Sequence, residues 1–218
     1  MNRILVWDLP LRLFHWLLVL LVVVSVVSAK IGGNAMQIHL LSGYAILTLV
    51  LFRILWGFLG GAHARFASFV CGPAAVISYL RALPRHQASQ HLGHNPAGAW
   101  SVIVMLIVLL AQAGTGLFSN DDIATEGPLA KLVSKALSDR ITGAHHLNVK
   151  LLYALIALHL SAVAYYLLYK RENLIKPMLT GFKNSAPGLG VSAQGKTWLA
   201  AALLAACAGC VYVLIKLA

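Results

Sequence analysis

Five long apolar runs dominate this chain, at residues 11–29, 39–59, 98–118, 145–169 and 197–217. Each is long enough to cross a hydrocarbon layer about 30 Å thick as a helix rising about 1.5 Å per residue. The fourth opens on the polar HHLNVK and becomes apolar from Leu151 to Tyr169. Lipid offers the backbone no hydrogen-bond partner, so repeated spans of this kind must be helical. Composition agrees: 60% of residues are hydrophobic and only 11% charged, against about 25% charged in soluble domains. A soluble globular enzyme, a disordered chain and a coiled coil are excluded. The expected fold is all-α, a polytopic integral membrane protein of five transmembrane helices.

Charge sets the expected orientation. The chain carries 17 Lys plus Arg against 6 Asp plus Glu, a net charge of +11. The bases cluster at the ends of the apolar runs, which suits a membrane face and not nucleic acid. With the N-terminus inside, the inner segments hold eleven bases against Asp8 and Glu172, while the outer segments hold six against Asp121, Asp122, Glu126 and Asp139. The positive-inside rule therefore predicts N-terminus in and C-terminus out. VVSA before Lys30 resembles a small-residue cleavage site, but the apolar run is longer than a signal core, and the first span is expected to remain.

Between spans, Pro73 to Leu83 reads as a short helix opened by proline. Leu129, Leu132, Val133, Ala136 and Leu137 share one helical face, predicting an amphipathic helix over 128–138 on the outer surface. Cys207 and Cys210 form CAGC without a following His, so they read as packing residues beside the small-residue stripe Ala201, Ala205, Gly209. His63, His86, His91 and His94 fall on the inner side between the second and third spans and are expected to be solvated.

The remaining histidines carry chemistry, because ionisable groups inside a membrane are costly. His145 and His159 are 14 residues apart, 40° short of four full turns, so they share a face about 21 Å apart along the helix. His146 points about 100° away. Chain direction then sets depth. His15 and His159 lie near the inner surface, His39 and His145 near the outer. Two imidazoles facing each other across a bundle, twice, suit two six-coordinate haems. Zinc would want three or four ligands at one depth. Gly43, four residues after His39, leaves room for a flat ring on the same face. Arg53, 14 residues after His39, and Arg12, three before His15, lie where an inner haem would present its propionates.

With these residues in hand, the chain resembles the bacterial cytochrome b561 family, which includes the b-type cytochrome subunits of nickel–iron hydrogenases. The resemblance runs through VWDLPLRLFHW at 6–16, HLLSGY at 39–44, FRILWGF at 52–58, GHNPAGAW at 93–100, QAGTGLFSNDD at 112–122, HHLNVKLLYALIALH at 145–159 and KRENLIKPMLTG at 170–181. It implies a four-helix domain over 1–183 holding two b-type haems, with metal ligands His15, His39, His145 and His159, followed by a linker and fifth helix over 184–218. Lys150 departs from the family, which often has Asn there.

The expected function is electron transfer through two haem b groups, the inner held by His15 and His159 and the outer by His39 and His145. The resemblance implies a membrane quinone on one side and, on the outer side, a c-type cytochrome or a dehydrogenase or hydrogenase subunit. It also implies a place in the bacterial inner membrane. The fifth helix raises packing on a partner or a homodimer. No dinucleotide fingerprint or catalytic triad is present, so the chain reads as an electron carrier, an oxidoreductase subunit only if it handles quinone itself. The alternatives are a transporter or metal permease, which the absence of intramembrane acids and inverted repeats disfavours, and a non-redox membrane anchor.

Overall fold

The computed structural model describes residues 2–83, 92–185 and 194–216. A short strand β1 (Asn2–Leu5) leads into α1 (Leu9–Ile31), α2 (Met36–Leu59), α3 (Pro73–Ala82), α4 (Pro96–Gly116), α5 (Lys135–Leu168), α6 (Ile175–Thr180), β2 (Phe182–Ser185) and α7 (Thr197–Lys216). The helices α1, α2, α4, α5 and α7 are long and apolar enough to cross a membrane. The fold is that of an all-α, multi-pass membrane protein.

Four of the helix starts follow from a local sequence signal. Asp8 caps α1, its Oδ1 accepting the Leu11 N–H at 3.0 Å, with Pro10 in the first turn. Asn95 caps α4 by accepting the Gly98 N–H at 2.7 Å, immediately before Pro96. Ser134 caps α5 through the Leu137 N–H at 3.3 Å. Such caps satisfy amide groups that no intrahelical carbonyl reaches. Pro73 opens α3 where the proline signal predicts it.

The predicted amphipathic helix over 128–138 does not form. Ala130–Leu132 make one 3-10 turn, Val133 is extended, and Ser134 starts a helix that runs unbroken to Leu168. The competing signal is the Ser134 cap, which places the helix boundary in the middle of the apolar stripe. Leu129 instead packs with Leu47, Leu117 and Val211, closing that end of the bundle. The fourth span therefore begins ten residues earlier than its apolar run.

Packing divides the bundle in two. α2 lies centrally, against α1, α4 and α7, while α5 runs along α4 and makes no comparable backbone approach to α1 or α2. The core at the N-terminal end holds Val6, Val50 and Trp56, all fully buried. There β1 pairs antiparallel with β2, Leu5 opposite Phe182. Gly181, at φ 88°, turns the chain after α6 so that its carbonyl accepts the Val6 N–H at 2.8 Å. A side chain at this position would be strained. The pairing clasps the start of α1 to the segment after α5.

Asp8 joins this clasp to α2. Its carboxylate, 3% exposed, also accepts the Trp56 indole N–H at 3.1 Å and the Gly61 N–H at 3.3 Å. Burial raises its pKa, and the Leu11 and Gly61 amides oppose that rise. Asp8→Ala removes a cap and strands two buried donors, so stability in detergent should fall by about 2–3 kcal/mol. Asp8→Asn keeps the cap and should lose less; denaturant unfolding followed by Trp fluorescence measures both.

At the other end, Asp121 accepts the N–H groups of Thr125 at 2.8 Å and of Ile123 and Ala124 at 3.0 Å. These bonds hold its pKa down to about 2, from 3.8. A lowered carboxylate pKa stabilises the fold above the unfolded pKa and stops doing so as pH falls through the folded value. Pepsin cleavage within 119–127 should therefore rise steeply between pH 4 and pH 2, and Asp121→Asn should already be cleaved at pH 4.

Candidate functional site

The four predicted ligand histidines come together in two pairs. His15 on α1 faces His159 on α5, with ring centres 6.4 Å apart. His39 on α2 faces His145 on α5, at 6.2 Å. All four are partly buried. Two imidazoles on one metal ion place their ring centres about 6 Å apart, given metal–nitrogen bonds of about 2 Å and the half-width of each ring. Both pairs match that spacing. His146 is exposed beside His145 and, among the described residues, faces no partner histidine across the bundle. Among the described residues no three His, Cys, Asp or Glu side chains converge as a metal cluster. The donor set consists of imidazole pairs, the pattern of a bis-histidine haem rather than of tetrahedral zinc.

The His39–His145 pair is oriented by the backbone. His39 Nδ1–H donates to the Ser25 carbonyl at 2.9 Å, and His145 Nδ1–H donates to the Gln112 carbonyl at 3.0 Å. A carbonyl only accepts, so both rings carry their proton on Nδ1 and present Nε2 as the basic nitrogen. The Gln112 side-chain amide donates to His145 Nε2 at 2.9 Å, and Gln112 Oε1 in turn accepts from Asn148 at 2.7 Å. A Cβ on Gly116 would lie 3.2 Å from the His145 ring, whereas one on Gly43 would meet nothing within 4 Å. Gly43 thus borders open space beside the pair, as a flat ligand requires.

The His15–His159 pair has a different surround. His15 Nδ1 is buried without a partner. Arg53, 2% exposed, holds its guanidinium carbon 5.0 Å over the Phe66 ring and leaves Nη1 without an acceptor. Arg12 Nη1 donates to the Leu179 carbonyl at 2.5 Å, while its Nε is buried and bare. Trp16 Nε1–H donates to the Met178 carbonyl at 3.2 Å. An anionic group placed here would find unsatisfied donors.

His94 corrects the expectation of a solvated side chain. Its ring sits between Trp7 and Phe69, at centroid distances of 4.7 and 4.5 Å, and its Nδ1 is buried without a partner. Burial pushes its pKa down to about 3. His63 is half-buried, with a buried, unpartnered Nε2. The aromatic residues Trp7 and Phe69 remove His94 from water, and neither is near it in sequence. His86 and His91 lie outside the described residues.

Sequence reasoning passed over Ser25, Gln112, Asn148 and Thr115, whose Oγ1 lies 3.1 Å from His145 Nδ1. Their signal was present: Gln112 and Asn148 are amides inside apolar spans, where a polar group needs a partner. Cys207 is buried and Cys210 exposed. The stripe Ala201, Ala205, Gly209 faces outward from the bundle. Lys150 is exposed and takes no part in the site.

Comparison with known proteins identifies the family of the chain. The profile of the prokaryotic cytochrome b561 family matches residues 6–181. A probable Ni/Fe-hydrogenase B-type cytochrome subunit of Azotobacter chroococcum mcd 1 is 25% identical over 230 aligned residues, covering 84% of this chain and 90% of that protein. Proteins of the same description from Azotobacter vinelandii and Rhizobium leguminosarum bv. viciae are 24% and 20% identical, covering 84% and 81% of this chain and 90% and 87% of their own lengths. No solved structure matches. If the Gly43 space is a ligand's, Gly43→Val should leave the unfolding midpoint in denaturant near wild type while halving the haem that copurifies.

Proposed function

The chain belongs to the prokaryotic cytochrome b561 family, as a multi-pass membrane b-type cytochrome of electron transfer, and we propose that it moves electrons between two haem b groups held by His15 with His159 and by His39 with His145. The observation that carries this reading is the pair of imidazole facings at 6.4 and 6.2 Å at opposite ends of one bundle. Each haem, when bound, supplies a one-electron iron couple. The chain does the rest. The four imidazoles hold the two groups on a common helix, α5, whose two histidines are 14 residues or about 21 Å apart. The Ser25 and Gln112 carbonyls fix the ring orientations of His39 and His145 and make their Nε2 atoms more basic. Gly43 admits the macrocycle. Arg53 and Arg12 offer buried donors to its carboxylates.

The finer assignments are part of the same proposal. Residues 1–183 form the haem-carrying domain, and 184–218 a linker and added helix. The positive-inside bias favours the N-terminus and the His15–His159 pair at the cytoplasmic face with the C-terminus outside, and the family favours a bacterial inner membrane. Electrons then pass between a membrane quinone and an outer redox partner. The relatives' description as hydrogenase subunits favours a hydrogenase or similar dehydrogenase subunit for that partner; a c-type cytochrome would serve the same chemistry. The outward stripe on α7 suits a second copy of the chain. The chain acts as a carrier and becomes a quinone-linked oxidoreductase subunit where it exchanges electrons with quinone directly.

The test is a dithionite-reduced minus oxidised spectrum of the detergent-purified protein with a pyridine haemochrome count. Two b-type haems per chain are expected. His15→Leu or His159→Leu should remove one, and His39→Leu or His145→Leu the other, giving two distinct residual spectra. Wild type that folds in haem-replete cells without haem would overturn the reading in favour of a permease or an anchor.

A further inference from the structure

Five side-chain nitrogens are buried without a partner among the described residues: Arg12 Nε, His15 Nδ1, Arg53 Nη1, His63 Nε2 and His94 Nδ1. All five lie in the half of the bundle that holds His15 and His159. At the other end the histidines Nδ1 are hydrogen-bonded. Arg12 Nε and Arg53 Nη1 can only donate, and each of the three imidazole nitrogens donates in the tautomer that carries its proton there, so the cluster marks a place that an acceptor would complete.

The depths of two of these groups can be read from the helix pairings. Ser25 meets His39 between antiparallel α1 and α2, so Arg53 comes level with Leu11, about 6 Å from His15 toward the end of the bundle at 1.5 Å per residue. Asn95 Nδ2 donates to the Tyr166 hydroxyl at 3.0 Å. Val108 pairs with Asn148 and Gln112 with His145 between antiparallel α4 and α5, so His94, just before α4, comes level with about residue 162, roughly 5 Å from His159 in the same direction. Arg53 and His94 therefore lie in the layer into which the carboxylates on one edge of a macrocycle would reach from the His15–His159 pair. The field of Arg53 reaches His94, as does that of His63. His63 and His94 also border one cavity of about 220 Å³ with Ser68. Packing between Trp7 and Phe69 fixes the His94 ring, so its Nδ1 is a directed group and not a mobile surface one.

We propose that His94, backed by His63, is a positioning residue that with Arg53 seats the propionate carboxylates of the haem at the His15–His159 pair. This rests on the two-haem reading above and adds the residue that fixes which edge of that haem points out of the bundle. A hydrogen bond to a propionate disperses its negative charge and so favours the ferrous iron.

The experiment is an optical redox titration of the full-length holoprotein in detergent, with resonance Raman detection of the propionate bending band. His94→Leu should lower the ferrous-to-ferric ratio of the His15–His159 haem at the wild-type midpoint at least about threefold. It should shift the propionate band and leave the other haem unchanged. His94→Gln, which keeps a donor, should stay within about twofold of wild type. If His94→Leu does not accumulate, His94→Asp against His94→Gln reads the same contact, the carboxylate expelling or lowering that haem and the amide keeping it. His94→Leu, or failing it His94→Asp, with wild-type potential and propionate band overturns the proposal while the two-haem reading stands. Wild type without two haems, or His15→Leu that retains both, fails the parent reading instead.

Discussion

A nitrogen buried among membrane helices has only another helix or a bound group to bond with, because lipid provides no partner. This constraint organises the whole molecule. It turns every histidine of a spanning segment except His146 toward the bundle. It ties Asn148 to the Gln112 side chain and to the Val108 carbonyl. It draws the Arg53 guanidinium onto the Phe66 ring. Where the constraint is met within the protein, at the His39–His145 end, the rings are oriented by carbonyls. Where it is not, at the His15–His159 end, buried nitrogens are left bare among the described residues. The two ends are thus chemically unequal although each presents the same imidazole pair. Unequal surroundings are how one protein gives two identical cofactors different potentials.

The clasp at the N-terminal end complements that asymmetry. β1 and β2, the Arg12 and Trp16 bonds to α6, and the Asp8 bonds to Trp56 and Gly61 all gather on the side where the unpartnered nitrogens lie. α5 makes its close backbone approach to α4 alone. The clasp holds the chain after α5 to the start of α1 and so limits how far His15 and His159 can separate. A rigid frame of this kind suits electron transfer, which needs fixed distances more than moving parts.

The helices were largely legible in the sequence because length and hydropathy alone decide what can cross a membrane. Caps at Asp8, Asn95 and Ser134 set boundaries that the apolar runs blur. The stripe at 128–138 misled because a hydrophobic face and a helix start were read separately. Ser134 begins a new helix within the stripe, and the capping interaction outweighs the periodicity of five residues. His94 misled for a different reason. Its neighbours in sequence are polar or small, and only the return of the chain brings Trp7 and Phe69 over it.

By itself the sequence determined the number of spans, the sign of the charge bias, and the common face of His145 and His159, because each follows from composition or from the fixed pitch of a helix. It also constrained the depth pairing, since antiparallel spans leave each histidine one level to occupy. Tertiary structure decided what no period encodes: the 6.4 and 6.2 Å facings, the carbonyls that set the tautomers of His39 and His145, and the burial of Arg53 and His94. Those depend on which side chains meet across helices, and long-range packing, unlike helical pitch, is a property of the whole chain.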